Sequence, residues 1–306
     1  MKLFLLIVGC GMLTLQQLGG GISPDLQMFL FLAGVVLVGI PHGAADMLVA
    51  TQRSTETQKH FSSGLFLVGY LGRLSAFAFV LYCFPVVGAA LFLLFSAYHF
   101  GETDMSGIRT DKLLGKAVVL SYGVVILGII LLGHAEEVKP IVATLQPTPE
   151  QVAWMERVFA AKLLLLGVSL ALFFACSFAY FTLNTDSRTK GGELIIRFAV
   201  LALLVHFMPL LLGFTFYFVL WHSLISLSDI IHFLREQGHF TIRTIMTRMA
   251  TYSSLALAGV LVLAVVGSLY ASAQAMVVSV VLGLAVLTAP HLGVMHGMYA
   301  SLRNRR

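Results

Sequence analysis

Four histidines break otherwise apolar stretches of this chain. They are His42 in Gly39-Ile40-Pro41-His42-Gly43-Ala44-Ala45-Asp46, His99 in Tyr98-His99-Phe100-Gly101-Glu102-Thr103-Asp104, His222 in Trp221-His222-Ser223, and His291 directly after Pro290. Imidazole is the commonest side-chain ligand for iron, copper and zinc, and it binds in the neutral form that a desolvated histidine adopts. A single histidine in a membrane helix more often donates a hydrogen bond to a neighbouring helix than binds a metal. Four helices running the same way could bring all four to a similar depth, with His222 the poorest match near mid-helix, and that changes the balance toward a metal site. Asp46 follows His42 by four residues and Asp104 follows His99 by five. On a continued helix Asp46 shares a face with His42. The two carboxylates either orient ligand histidines and relay protons, as partners of metal-bound imidazoles do, or mark helix ends.

Composition says what scaffold holds these residues. With 58% of residues hydrophobic and 11% charged over 306 residues, and a mean hydropathy of +0.93, the chain cannot present an ordinary wet surface. It reads as an all-α, polytopic integral membrane bundle, a single transmembrane domain over residues 1–306. A hydrocarbon core is crossed by about 20 apolar residues, and about ten candidate runs emerge. They lie near 3–19, 27–48, 62–84, 85–100, 114–132, 158–182, 194–212, 213–233, 250–270 and 276–297, with tight turns at Pro85 and Gly213. Lys2, Leu3–Val8 and Gly9-Cys10 superficially resemble a lipoprotein signal, but the apolar stretch continues past Cys10 to Leu18 and reads as a first membrane helix. Cys10, Cys83 and Cys176 are scattered through apolar runs, offer no disulfide framework and are expected to serve helix contacts.

Charge sets the orientation. With Lys2 on the cytoplasmic side, alternation places Arg53 and Lys59, then Arg109, Lys112 and Lys116, then Arg188 and Lys190, then Arg235, Arg243 and Arg248, and finally Arg303, Arg305 and Arg306 on that side. The opposite side keeps mainly a loop near 133–157, where Glu136, Glu137, Glu150 and Glu156 face Lys139 and Arg157. Lys and Arg in short loops favour the cytoplasm, so both termini are expected there and the chain in the inner (plasma) membrane. A net charge of +5 distributed in this way marks topology, not nucleic-acid binding. Under this arrangement the four histidines fall on spans two, four, eight and ten, which run in the same direction. Arg73 falls in the middle of the third span, so it either faces a partner or polar cavity, or the helix boundary is shifted.

The motifs around these histidines make the sequence resemble the Brp/Blh family of bacterial and archaeal membrane β-carotene 15,15′-dioxygenases. That family carries a Pro-His-Gly-x-x-Asp segment, a Tyr-His-Phe-Gly-x-x-Asp segment, a Trp-His-Ser segment and a late Pro-His, and all four occur here in order. The resemblance implies a protein that binds Fe(2+) and adds dioxygen across the central double bond of β-carotene, releasing two retinal molecules. It implies a link to a retinal-binding photoreceptor. His42, His99 and His222 match family iron ligands. The family's third motif places a second histidine four residues after the first, where this chain has Ser226, and Ile225 replaces an arginine. His291, on a separate helix, is the best candidate for the open position, and three histidines alone also hold a metal with positions left for oxygen or substrate.

Other residues fill that position less well. His232 lies about 15 Å along a helix from His222, and Asp229 about 10 Å. His296 follows His291 at a spacing that resembles one element of di-iron hydroxylases, but the paired clusters those enzymes need are missing. His60, His134 and His239 fall in expected loops, and His206 lies toward the opposite side. Phe95, Tyr98, Phe100, Phe214, Phe216, Tyr217, Phe218 and Trp221 crowd the motif regions and could line a tunnel for a lipid-soluble polyene entering from membrane lipid. Rival readings keep the metal but change the substrate to another apocarotenoid or isoprenoid, or make the protein a non-catalytic carotenoid or retinal binder.

Overall fold

Backbone in hydrocarbon must satisfy its own N–H and C=O groups, and a helix does so within one segment. Every described element of the chain is accordingly helical. The structure is a computed structural model that describes all residues except 59, 144–147, 185–187, 237–239, 269–272 and 305–306, and, within helices, the side chains of 188–190, 260, 263–268, 273–282, 284 and 304. Lys59, His239, Arg305 and Arg306, and the side chains of Arg188 and Lys190, therefore lie outside the described residues. In chain order the helices are α1 (Lys2–Leu18), α2 (Pro24–Gly34), α3 (Ile40–Ala44), α4 (Asp46–Glu56), α5 (Ser63–Cys83), α6 (Pro85–Asp104), α7 (Leu113–Leu132) and α8 (Ala135–Ala143). They continue with α9 (Pro149–Ala160), α10 (Lys162–Leu183), α11 (Arg188–Phe207), α12 (Leu210–Phe214), α13 (Leu224–Arg235), α14 (Ile242–Ser268) and α15 (Ala273–Asn304). Two π-helical segments, Val35–Gly39 and Thr215–Ser223, interrupt the series.

Local chemistry explains the boundaries. Ser23 caps α2 through its hydroxyl and Pro24 occupies the first turn, where its missing N–H costs nothing. Ser62 caps α5, and Thr148 with Gln151 forms a capping box on α9. Pro41 cannot donate to the preceding turn, and the π segment Val35–Gly39 lies just before it.

Helix fills most of each expected apolar run among the described residues. Among the described residues, six stretches are long and apolar enough to cross a membrane: Pro24–Glu56, Ser63–Cys83, Pro85–Asp104, Leu113–Leu132, Lys162–Leu183 and Leu210–Arg235. The other expected spans correspond to α1, which has only 17 residues, to α11, which carries Glu193 and Arg197 near its start, and to α14 and α15, which include undescribed side chains. Large apolar side chains stand bare on the spans, including Leu65 at 75%, Leu163 at 78% and Phe178 at 74% exposure. Such surfaces require lipid as solvent. The chain is thus an all-α, multi-helix membrane protein.

Several expectations are corrected. The turn placed at Gly213 lies instead at Met208 and Pro209, between α11 and α12, because Pro209 cannot continue a helix. Gly213 sits within α12. A Cβ there would come within 3.1 Å of the Val205 carbonyl oxygen. The 133–157 loop contains two short helices, α8 and α9. Cys10 and Cys83 are exposed and only Cys176 is partly packed. His134 does lie in the turn between α7 and α8, but it is half-buried there, its ring nitrogens 2.9 Å from the Ile130 carbonyl and 2.8 Å from that of Met208.

The described chain clusters into two compact units. The first comprises Met1–Val35, Ser96–Pro140 and Thr148–Ile225. Its core contains Tyr122, Phe173, Phe198, Phe216, Tyr217 and Trp221. A Cβ on Gly101 would overlap the Val119 carbonyl, and one on Gly123 would overlap that of Ala97, so α6 and α7 touch backbone to backbone. Hydrogen bonds show how the helices alternate. Lys2 Nζ donates to the Asp104 carbonyl at 3.3 Å and Arg109 N–H to Tyr180 Oη at 2.9 Å, which brings together the start of α1 and the ends of α6 and α10. Gln17 Nε2 donates to the Phe207 carbonyl at 3.0 Å, and His134 meets Met208, which groups the ends of α1, α7 and α11.

The second unit comprises Val36–Phe95, Ile141–Pro147 and Ser226–Arg306. Here α15 lies along α4 and α5, and α3 meets α14. Leu48, Val49, Ile230, Phe233, Met295 and Tyr299 form one apolar core, and Phe77, Leu81 and Ala285 form a smaller one.

Candidate metal centre

Each unit carries a buried pair of histidines with a buried aspartate nearby. In the first unit, His99 near the end of α6 and His222 in the π segment are 3% and 0% exposed. Their rings meet edge to face with centroids 4.8 Å apart. Phe100 closes over His222 at 4.5 Å. Phe218 lies one turn before His222 with ring planes 15° apart, and Phe214 stacks on Phe218 at 5.4 Å and 8°. The result is a column of flat faces, Phe214, Phe218 and His222, at four-residue spacing. The π segment sets that column, and a π turn inside a helix is a frequent feature of functional sites.

Asp104 holds this half in place. Its Oδ2 accepts from Tyr122 Oη at 2.6 Å and Tyr217 Oη at 3.2 Å, and its Oδ1 accepts from Trp221 Nε1 at 2.8 Å. Three donors satisfy a carboxylate that would otherwise be prohibitively costly to bury. Because Trp221 precedes His222, the cluster ties the end of α6 to the backbone that carries the ligand candidate. Asp104 thus does more than mark a helix end.

In the second unit, His42 on α3 and His291 on α15 are 5% and 4% exposed, with ring centroids 4.8 Å apart and an interplanar angle of 88°. His42 Nδ1 donates to the Gly39 carbonyl at 2.6 Å, and His291 Nδ1 donates to Asp46 Oδ1 at 2.7 Å. A carbonyl and a carboxylate oxygen can only accept, so both rings, when neutral, carry their lone pair on Nε2. Ligand-capable nitrogens of the two rings lie within 4.8 Å. Neutral imidazoles with the second nitrogen anchored are the donor set that divalent first-row metals take. The residues fit a metal of the expected kind.

Asp46 is not aligned with His42 on one continued helix. The chain breaks at Ala45, Asp46 opens α4, and its carboxylate faces His291 while Tyr70 Oη donates to Oδ2 at 3.0 Å. Ser226, which stands where the resemblance led to a fourth histidine, is fully buried on α13. The residues set aside stay outside both pairs: His232 is exposed and pairs with Glu236 at 3.0 Å, and His60, His206 and His296 are exposed. Asp229 accepts from Tyr299 Oη at 3.2 Å. Of the aromatics, Phe95 is 47% exposed, while Phe216, Tyr217 and Trp221 are core residues. Sequence reasoning missed Tyr70, Tyr122 and the Gly39 carbonyl. The available signal was general: a buried carboxylate in a membrane helix requires donors, and buried tyrosine supplies them.

Comparison with known proteins agrees with this chemistry. A family described as "Beta-carotene 15,15'-dioxygenase" matches residues 33–299. A curated protein of that description from Uncultured marine bacterium 66A03 is 27% identical over 265 residues, covering 85% of this chain and 90% of the relative. No solved structure matches the chain. The match runs through all four histidine motifs, and the chain belongs to the β-carotene 15,15′-dioxygenase family.

Proposed function

We propose that the protein is an iron(II)-dependent dioxygenase that cleaves the central double bond of β-carotene with dioxygen, giving two retinal molecules, and that it is a divergent member of the Brp/Blh group. The observation that carries this reading is the commitment of both Nδ1 atoms in the second unit, which puts the lone pair of each neutral ring on Nε2. His42, His99, His222 and His291 are the candidate iron ligands of this reading. That iron, when bound, supplies the redox chemistry that couples dioxygen to the alkene. Asp46 fixes the His291 ring, and Asp104 fixes the segment that bears His222. The column Phe214, Phe218 and His222 offers flat apolar faces against which a polyene entering from lipid can lie. In this reading the chain makes ten crossings of the plasma membrane as one domain, with both termini cytoplasmic, and hands retinal to a photoreceptor that binds it.

The test is expression in cells that accumulate β-carotene, with chromatography of the extracted pigments and metal analysis of the purified protein. Retinal with loss of colour, one iron per chain, and loss of both in His42→Ala and His222→Ala are expected. Ser226 in place of a histidine favours a second reading, a different apocarotenoid or isoprenoid substrate, and longer apocarotenals among the products support it. A protein that holds no iron after anaerobic reconstitution and changes no pigment is a binder and not an enzyme.

A further inference from the structure

Arg73 occupies the midpoint of the 21-residue α5, so about 15 Å of helix separates it from either end. A guanidinium at that depth in an apolar helix needs an anion or a polar cavity. Its Nε donates to the Gly69 carbonyl at 3.2 Å, which turns the side chain back toward the Ser63 end. There it lines a cavity of about 350 Å³ in the second unit, shared with Arg53 and Ser54 of α4 and with Gly293 of α15. Arg53 Nε is buried and has no hydrogen-bond partner among the described residues. Among those residues neither guanidinium lies within ion-pair distance of a carboxylate.

Helix α15 is built to admit both cations. A Cβ on Gly297 would overlap the Arg53 guanidinium, and one on Gly293 would come within 3.1 Å of Arg73 Nη1. Two arginines on one cavity with no acidic partner repel each other unless an anion joins them. Planar guanidinium forks match phosphate oxygens in pairs. The wall also contains Phe66 and Val294, an apolar lining suited to a lipid. We propose that Arg53 and Arg73 form a phosphate-binding site, distinct from the histidine pairs, that holds the phosphate of an anionic lipid headgroup or free phosphate.

The experiment uses the full chain in delipidated detergent micelles, followed by thermal unfolding and by phosphorus content after gel filtration. One arm receives inorganic phosphate, a second phosphatidylglycerol, and a third an uncharged diacylglycerol. A saturable rise in Tm with phosphatidylglycerol alone, with about one phosphorus retained per chain, identifies a headgroup site, and a rise with phosphate as well identifies a free-anion site. Arg53→Gln/Arg73→Gln is expected to abolish the response. Should that variant not fold, Arg73→Lys keeps the charge but loses the fork, and its half-saturation is expected to be about tenfold weaker. No response of the wild type to either phosphate source, an equal response to diacylglycerol, or unchanged half-saturation in the variants would overturn the proposal.

Discussion

His291 Nδ1 donates to Asp46 Oδ1 at 2.7 Å, joining residues 245 positions apart. The bond fixes the ring's rotation and tautomer, so in the proposed iron site Asp46 acts through His291 as a positioning residue. Partners of this kind change metal affinity by about 10–100-fold when removed. Asp46→Ala is expected to weaken iron binding by about that factor in an anaerobic titration. Tyr70→Phe removes only the 3.0 Å bond to Oδ2 and is expected to have a smaller effect in the same direction. Equal iron affinity in Asp46→Ala and wild type would show that the pair is structural alone.

Asp104 answers three buried donors at once, and the cost of removal is asymmetric. Asp104→Ala leaves Tyr122, Tyr217 and Trp221 without their acceptor, at about 1–3 kcal/mol each, so this variant is expected not to accumulate as folded protein. Trp221→Phe leaves the carboxylate with two donors and is expected to cost about 1–3 kcal/mol. That loss would be read as a lower Tm in detergent.

The helices were legible in the sequence because hydropathy and caps act over a few residues: among the described residues helix fills most of each apolar run, and Ser23 and Ser62 begin α2 and α5. Turn placement between α11 and α12 was less so, since Gly213 and Pro209 both signal a break and only backbone sterics decide for Pro209. The four histidines were legible because imidazole among leucines and valines stands out. Asp46 and Asp104 were legible as carboxylates, but the groups they meet were not. Asp46 meets His291 only through the tertiary arrangement of α4 and α15, and a helical wheel drawn through Ala45 assigns it to His42. Tyr122 has no local signal that separates a donor to Asp104 from an ordinary interfacial aromatic.

The seam between α6 and α7 positions His99, because Gly101 and Gly123 each face a carbonyl of the other helix with no room for a methyl group. Backbone cannot yield as a side-chain tip does, so Gly101→Ala and Gly123→Ala must push the helices apart. Overpacking of this sort costs about 1–3 kcal/mol, occasionally more. Both variants are expected to lower Tm, and Gly101→Ala also to weaken iron binding through displacement of His99. Gly167→Ala, whose added Cβ meets nothing within 4 Å, is the control. Alanine is the better helix former, so that variant is expected to match or exceed wild-type stability.

Ser226 gives the sharpest test of how this chain departs from the motif it resembles. Its Oγ is buried with no hydrogen-bond partner among the described residues. A hydroxyl desolvated in that way opposes folding, so Ser226→Ala is expected to leave Tm unchanged or raise it. Ser226→His forces an imidazole into a fully buried position and is expected to cost the metal-free protein about 1–3 kcal/mol. If the position accepts iron, binding must recover that loss: Tm with saturating iron would rise further above the metal-free value than it does in wild type. A variant destabilised equally with and without iron would mean that the ligand set is complete without residue 226. A large loss in Ser226→Ala would instead show that the hydroxyl has a partner and a role of its own.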